Sequence, residues 1–158
     1  MAFDSTNDPT RRRLSRRSIP TAVVLALLAA VVGAVLWTLA TAYAGHKNVF
    51  LALVIGLLVG GAVRLAGFGN AAVLQPRMAA VLAGLSALLG CLLGAVLIII
   101  WFVAFDNDIS YLTAAQRNSP VWVLSVLQES FVLLDGLMFG AAALLAGQLA
   151  TSGRKEAA

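Results

Sequence analysis

TAVVLALLAAVVGAVLWTLATAYA, residues 21–44, runs for 24 positions without a charged side chain. A helix rises about 1.5 Å per residue, so this run is long enough to cross the ~30 Å hydrocarbon core of a bilayer. Three more apolar runs follow, at about 49–66, 78–105 and 121–149. Only Arg64, Glu129 and Asp135 carry a charge inside the four runs. Backbone polar groups in lipid must be satisfied within the protein, which a continuous helix achieves. A transmembrane β-barrel would instead show segments of about 10 residues with alternating polarity, and these runs do not alternate. The reading is an all-α, polytopic integral membrane protein with a four-transmembrane-helix bundle.

Composition points the same way. The chain is 61% hydrophobic and 11% charged, where soluble domains carry about 25% charged residues. Mean hydropathy is +0.94. The net charge of +4 does not imply a nucleic-acid partner, because the basic residues sit at the ends of the apolar runs, as topology signals do. Arg11, Arg12, Arg13, Arg16 and Arg17 precede the first run, Arg64 and Arg77 flank the second connection, and Arg154 and Lys155 follow the last run. With four spans these fall on one side, against Lys47 and Arg117 on the other, where Asp106 and Asp108 also lie. The positive-inside rule then places both termini in the cytoplasm and the protein in the cell (inner or plasma) membrane. Trp37, Tyr43, Trp101, Tyr111 and Trp122 all map to the outer half, where amphipathic rings favour the interface.

Turn chemistry sets the boundaries. Pro20, Pro76 and Pro120 each precede a run, and proline fits a first helical turn because its missing N–H has no intrahelical partner there. Gly45-His46-Lys47-Asn48 reads as a tight turn, and Gly67, Gly69 and Asn70 can end the second span. Residues 1–18 are expected to be a basic, disordered cytoplasmic tail, which either only sets topology or also touches anionic headgroups. Residues 151–158 form a short second tail. The outer connection 106–120 reads as a polar loop or as a short interfacial helix carrying Ile109, Leu112 and Ala115 at helical spacing. Ser15-Arg16-Arg17-Ser18-Ile19 resembles a twin-arginine export signal, with Ala42-Tyr43-Ala44 as a cleavage-like site. The run between them exceeds a signal core of about 7–15 residues, so it is read as a first transmembrane helix.

Small residues four apart leave a flat stripe along which two helix backbones approach. Gly56/Gly60, Gly90/Gly94 and Gly136/Gly140 supply such stripes in three spans, with a weaker Ala29/Gly33 pair in the first. They are expected to pack the bundle, and a homo-oligomer contact through one of them is also open.

The interior charges are the candidate functional residues. Counted from the outer ends of their runs, Arg64 and Asp135 both fall roughly 21–22 Å deep. An isolated charge at a membrane centre costs about 2.5–3.5 kcal/mol on insertion scales, so an Arg64–Asp135 pair is expected; the alternative is an Arg64 that snorkels to the surface. Glu129 is shallower, roughly 12 Å from the outer edge, and reads either as a proton or cation site or as a hydrogen bond to a neighbouring helix. Gln128 and Asp135, seven apart, share a face of a continuous helix.

Catalytic and metal chemistry finds no support. The chain has one cysteine, Cys91, and one histidine, His46, too few for a conventional zinc site. No HExxH, GxSxG with a base, P-loop or Rossmann loop is present. Neither an enzyme nor a cofactor is expected.

Gly33-x3-Trp37, Tyr43-x-Gly45 and Gly56-x3-Gly60-x3-Arg64 together resemble a pattern in small, uncharacterised bacterial multi-span membrane proteins. The resemblance covers the first two spans, about a quarter of the chain, and implies a fold type and a bacterial origin. The expected role is a structural or accessory component that packs with itself, as a homo-oligomer, or with a larger membrane complex. The alternative is a small oligomeric transporter or channel lined by Glu129 and Asp135.

Overall fold

The computed structural model describes residues 9–68 and 76–152. Among them the secondary structure is entirely helical: α1 Pro9–Ala44, α2 Leu51–Phe68, α3 Pro76–Asp106, α4 Tyr111–Arg117, α5 Pro120–Ser130 and α6 Leu133–Thr151. Three segments are long and apolar enough to cross a membrane: Pro20–Ala44, Pro76–Asp106 and Leu133–Thr151. Leu51–Ala66 is a shorter apolar helix. Outward-facing leucines such as Leu28, Leu39, Leu85 and Leu144 are all at least half exposed, which suits a surface facing acyl chains rather than water.

Each boundary has a local cause. Gly45 stops α1 at φ +70, with its N–H donated to Thr41 O at 2.9 Å. A residue with a Cβ is disfavoured in that left-handed conformation, and glycine is not. The Asn48 side chain then accepts the Phe50 N–H at 3.1 Å and turns the chain into α2. Ser110 and Ser119 cap α4 and α5, accepting the Thr113 and Trp122 N–H groups, each at 3.2 Å, and Pro120 occupies the first turn of α5. Pro20, by contrast, lies inside α1, which continues back to Pro9 through the segment expected to be a disordered tail. Gly67 lies within α2; the other expected caps, Gly69 and Asn70, lie outside the described residues.

The largest departure from the sequence reading is in the fourth apolar run. A single helix over 121–149 was expected; the chain forms α5, breaks at Phe131–Val132 in extended conformation (ψ 109 and 154), and restarts as α6. Gln128-Glu129-Ser130, three polar residues in succession, end α5. The Ser130 hydroxyl bonds back to Val126 O at 2.6 Å, the kind of local side-chain competition that favours helix ends.

Helices α1, α2, α3 and α6 pack against one another, and their seam is alanine as much as glycine. Ala22, Ala26, Ala30 and Ala34 of α1 are buried at four-residue spacing, as are Ala79, Ala83 and Ala87 of α3 and Ala142 and Ala146 of α6. Close contacts fix the register. A Cβ placed on Gly90 would lie 3.1 Å from Ala30 Cβ, and one on Gly94 would lie 3.5 Å from Ala34 Cα, so α1 and α3 run parallel. Gly56 lies against Ala142 and Gly60 against Ala146, so α2 and α6 run parallel. Gly84 meets Ala143 and Gly147 meets Ala80, so α3 and α6 are antiparallel.

Gly136 and Gly140 do not act as the expected packing stripe. Nothing lies within 4 Å of a Cβ on Gly140, and one on Gly136 meets only the Phe131 ring, at 3.4 Å. The close approach of α3 to α6 comes farther along α6, at Ala143 and Gly147. Trp37 also departs from expectation. It is 1% exposed, and a Cβ added to Gly94 would lie 2.7 Å from its ring, so it fills the interior instead of marking an interface. On α4 the buried residue is Ala114, while Leu112 is exposed; Tyr111 ties this helix to α3 by donating to Leu97 O at 3.4 Å.

Candidate functional site

The helix break positions the one buried acid among the described residues. Asp135 lies in the first turn of α6 and is 4% exposed. Its Oδ2 accepts the Val132 N–H at 3.2 Å, reaching back to an amide that a helix start leaves without a partner. The same oxygen lies 2.8 Å from Lys47 Nζ, in the turn between α1 and α2. A carboxylate here is also favoured by the positive end of the α6 dipole. Lys47 is less buried, with 31% of its side chain exposed, so its ammonium keeps part of its hydration while neutralising the acid.

The Arg64–Asp135 pair is therefore corrected. Asp135 bonds Lys47, whereas Arg64 Nη1 donates to Ser152 Oγ at 3.4 Å. Ser152 is 17 residues beyond Asp135 on the course of α6, roughly 25 Å away at the helical rise. The depth count failed because it began at Val121, while the helix that carries Asp135 begins at Leu133.

A buried aromatic stack adjoins the acid. Phe139, one turn after Asp135, meets Trp37 edge to face at 5.9 Å and 84°, and Phe131 of the break at 5.6 Å and 80°. Since α1 and α6 run antiparallel, one turn from Trp37 toward Gly45 reaches Thr41, and one turn from Phe139 toward Val132 reaches Asp135. Thr41 and Asp135 thus share a level. Both Trp37 Nε1 and Thr41 Oγ1 are buried without a hydrogen-bond partner. Thr38, beside them, returns its hydroxyl to Ala34 O at 2.9 Å.

A cavity of about 150 Å³ lies between Lys47, Ile98 and Phe102 on one side and Leu127, Ser130 and Phe131 on the other. Glu129 and Gln128 are not part of this arrangement. Both are exposed on α5; Gln128 borders an open groove with Leu124. The break also removes the face that Gln128 was expected to share with Asp135, because the two now belong to different helices. Among the described residues, no group of three His, Cys, Asp or Glu could hold a metal ion. Cys91 is fully buried on α3, 4.0 Å from Ala52 O.

Sequence reasoning missed Lys47, Thr41 and Phe139. In the sequence Lys47 reads as a turn residue and a topology signal, with nothing to mark it as the partner of Asp135. The usable clue was the polar triplet at 128–130, which marks a helix end and makes Asp135 a first-turn acid.

The class is thereby defined: an all-helical protein whose three long apolar helices suit a membrane, with a charged lock where the α1–α2 turn meets the start of α6. Within that class no relative is found: no family model, curated protein or solved structure matches the chain.

Proposed function

We propose that this chain is a structural or accessory component of a bacterial plasma membrane, without catalytic activity, that packs with itself or with other membrane proteins. In this reading α1, α2, α3 and α6 span the bilayer with both termini cytoplasmic, and α4 and α5 lie over the outer side. The charge bias of the sequence supports that orientation. The observation that carries the role is the state of Asp135: the one buried carboxylate among the described residues is already used, by Lys47 and by the Val132 amide. An acid committed to holding two elements together is a structural feature. Purification of the full chain in mild detergent tests this. A defined homo-oligomer or a stoichiometric membrane partner is expected; a monodisperse monomer without a partner would overturn it.

One observation favours a second reading, a small oligomeric transporter or channel using Glu129 and Asp135. Interrupted helices and unpaired polar groups accompany substrate sites in many transporters, and here the break at Phe131–Val132 lies beside Asp135, with Trp37 Nε1 and Thr41 Oγ1 unpartnered nearby. Proteoliposome flux lost in both Glu129→Gln and Asp135→Asn would establish this reading; flux absent in the native chain would remove it.

A further inference from the structure

The other end of the bundle carries a groove with a distinct polarity gradient. It lies between α3 and α6, measures about 520 Å³, and has a floor of small residues, Ala80 and Gly84 facing Ala143 and Gly147. The floor is shallow-sided because the two backbones approach closely: a Cβ on Gly84 would lie 3.4 Å from Ala143 O, and one on Gly147 would lie 3.4 Å from Ala80 O. Val81, Leu85 and Leu144 form walls that are 58%, 57% and 70% exposed, so the groove opens outward, toward lipid in a membrane. Its deep end, at Leu88, is apolar, while Gln148 and Thr151 stand at the opposite end.

Arg77 completes the mouth. It is exposed in the first turn of α3, four residues before Val81 and seven before Gly84, and so lies on the face that forms the groove. From Arg77 to Leu88 the helix rises roughly 16 Å, about half of the ~30 Å hydrocarbon core. The groove is thus one leaflet deep, with a cation and an amide where headgroups lie. All four described acids (Asp106, Asp108, Glu129 and Asp135) belong to the opposite end of the bundle or to the segments beyond it. The mouth is therefore positive without a described acid to offset it.

We infer that this groove binds one anionic phospholipid from the leaflet that meets the N-terminus of α3. One acyl chain lies along Ala80, Gly84 and Leu88, and the phosphate is held by Arg77 with Gln148, while the Thr151 hydroxyl stays committed to Gly147 O and Gln148 O. A guanidinium matches phosphate oxygens with paired N–H groups, and basic pockets between membrane helices are known to hold anionic headgroups. The apolar length selects a lipid over a free anion, and the charge selects an anionic lipid over a zwitterionic one.

The test is native mass spectrometry of the full chain in mild detergent, titrated with phosphatidylglycerol or phosphatidylcholine of identical acyl chains. One phosphatidylglycerol is expected to bind about tenfold more tightly than phosphatidylcholine. Arg77→Gln abolishes that preference, and Val81→Trp, which fills the groove from an exposed wall, weakens both lipids at least fivefold. Inorganic phosphate at matched concentration does not displace the lipid. Equal affinity for the two lipids in the native chain, unchanged preference in Arg77→Gln, or displacement by phosphate would each overturn the inference. If Val81→Trp fails to fold, seen as exposure of Cys91 to maleimide, Leu85→Trp takes its place, and unchanged binding in a folded wall variant refutes the groove as the site.

Discussion

Gly56→Ala tests the packing account most directly, because it adds a single methyl where two backbones meet. The new Cβ would overlap the carbonyl oxygen of Ala142 and stand 3.0 Å from that residue's C and Cα. All three are backbone atoms of α6, so no side-chain rotation relieves the contact and one helix must move. Ordinary contact begins near 3.4 Å. Clearing the two carbon contacts takes about 0.4 Å and clearing the oxygen takes more, so α2 and α6 separate by roughly 0.5–1 Å. A gap of that size forfeits about a quarter to a half of each pairwise attraction of about 0.1–0.2 kcal/mol. Over on the order of 30 atom pairs the loss is about 1–3 kcal/mol, the range of overpacked cores. Alanine returns about 0.5–1 kcal/mol through its higher helix propensity. The expected net destabilisation is about 1–2 kcal/mol.

Cys91 supplies the assay. It is the only cysteine in the chain and is fully buried, so maleimide reacts with it only after the bundle opens. Labelling is followed while a denaturing detergent is raised against a mild one. Gly140→Ala is the control: it has the same chemistry and the same propensity gain, with nothing within 4 Å of its Cβ. Gly56→Ala should shift the labelling midpoint toward less denaturant, whereas Gly140→Ala should leave it unchanged or raise it. If the two variants behave alike, the α2–α6 register is wrong.

Other outcomes follow from the site. Asp135→Ala should destabilise the bundle by about 1–3 kcal/mol, and in a double-mutant cycle with Lys47→Met the losses should be non-additive, because each removes the same 2.8 Å pair; additive losses would show that the pair contributes nothing. Thr41→Val keeps the shape but removes a buried hydroxyl with no partner, and should be neutral or stabilising by up to about 1 kcal/mol; a marked loss would mean that the hydroxyl is used. Partial burial raises the Tyr111 phenol, on a side chain still 39% exposed, above its ordinary value of 10. The docking of α4 on α3 is then fullest below about pH 10 and weakens as pH rises through the higher folded value, so an absorbance titration of a Tyr43→Phe chain should show late phenolate formation, and onset at the ordinary value would refute the partial burial of that hydroxyl.

Helix type was legible because hydropathy is a property of long runs: residues 78–105 lie within α3 with little shift, and residues 21–44 lie within α1, which extends back to Pro9 beyond the apolar run. Packing was legible only where the sequence used glycine at a true crossing, as at Gly56 and Gly60. The alanine seam of Ala22, Ala26, Ala30 and Ala34 was not, since alanine is common on every face of such helices. Gly136 and Gly140 show the converse: four-residue spacing defines a stripe, but only a neighbouring helix makes it an interface. The candidate site was half legible. Asp135 stood out by its cost, but its partner depends on the level at which α6 begins, and hydropathy does not register a break flanked by Phe131, Val132 and Leu133.

That break explains why the acid belongs where it is. The antiparallel neighbours α3 and α6 could be joined by about 2–8 residues, as helix pairs in bundles usually are. The connection from Asp106 to Leu133 instead holds α4, α5 and the extended Phe131–Val132 step. Continuous helix through this step would carry α5 onward along its own axis and keep Val132 N–H in the ladder. Ending α5 frees that amide, and Asp135 Oδ2 takes it. The remaining charge then faces the only cation of the α1–α2 turn. The ion pair thus closes at one end the same α2–α6 contact that Gly56 and Gly60 make in the middle and that Arg64 and Ser152 make at the other end. An arrangement held at three levels along one helix pair resists sliding, because a one-turn slip would separate Lys47 from Asp135 and Arg64 from Ser152.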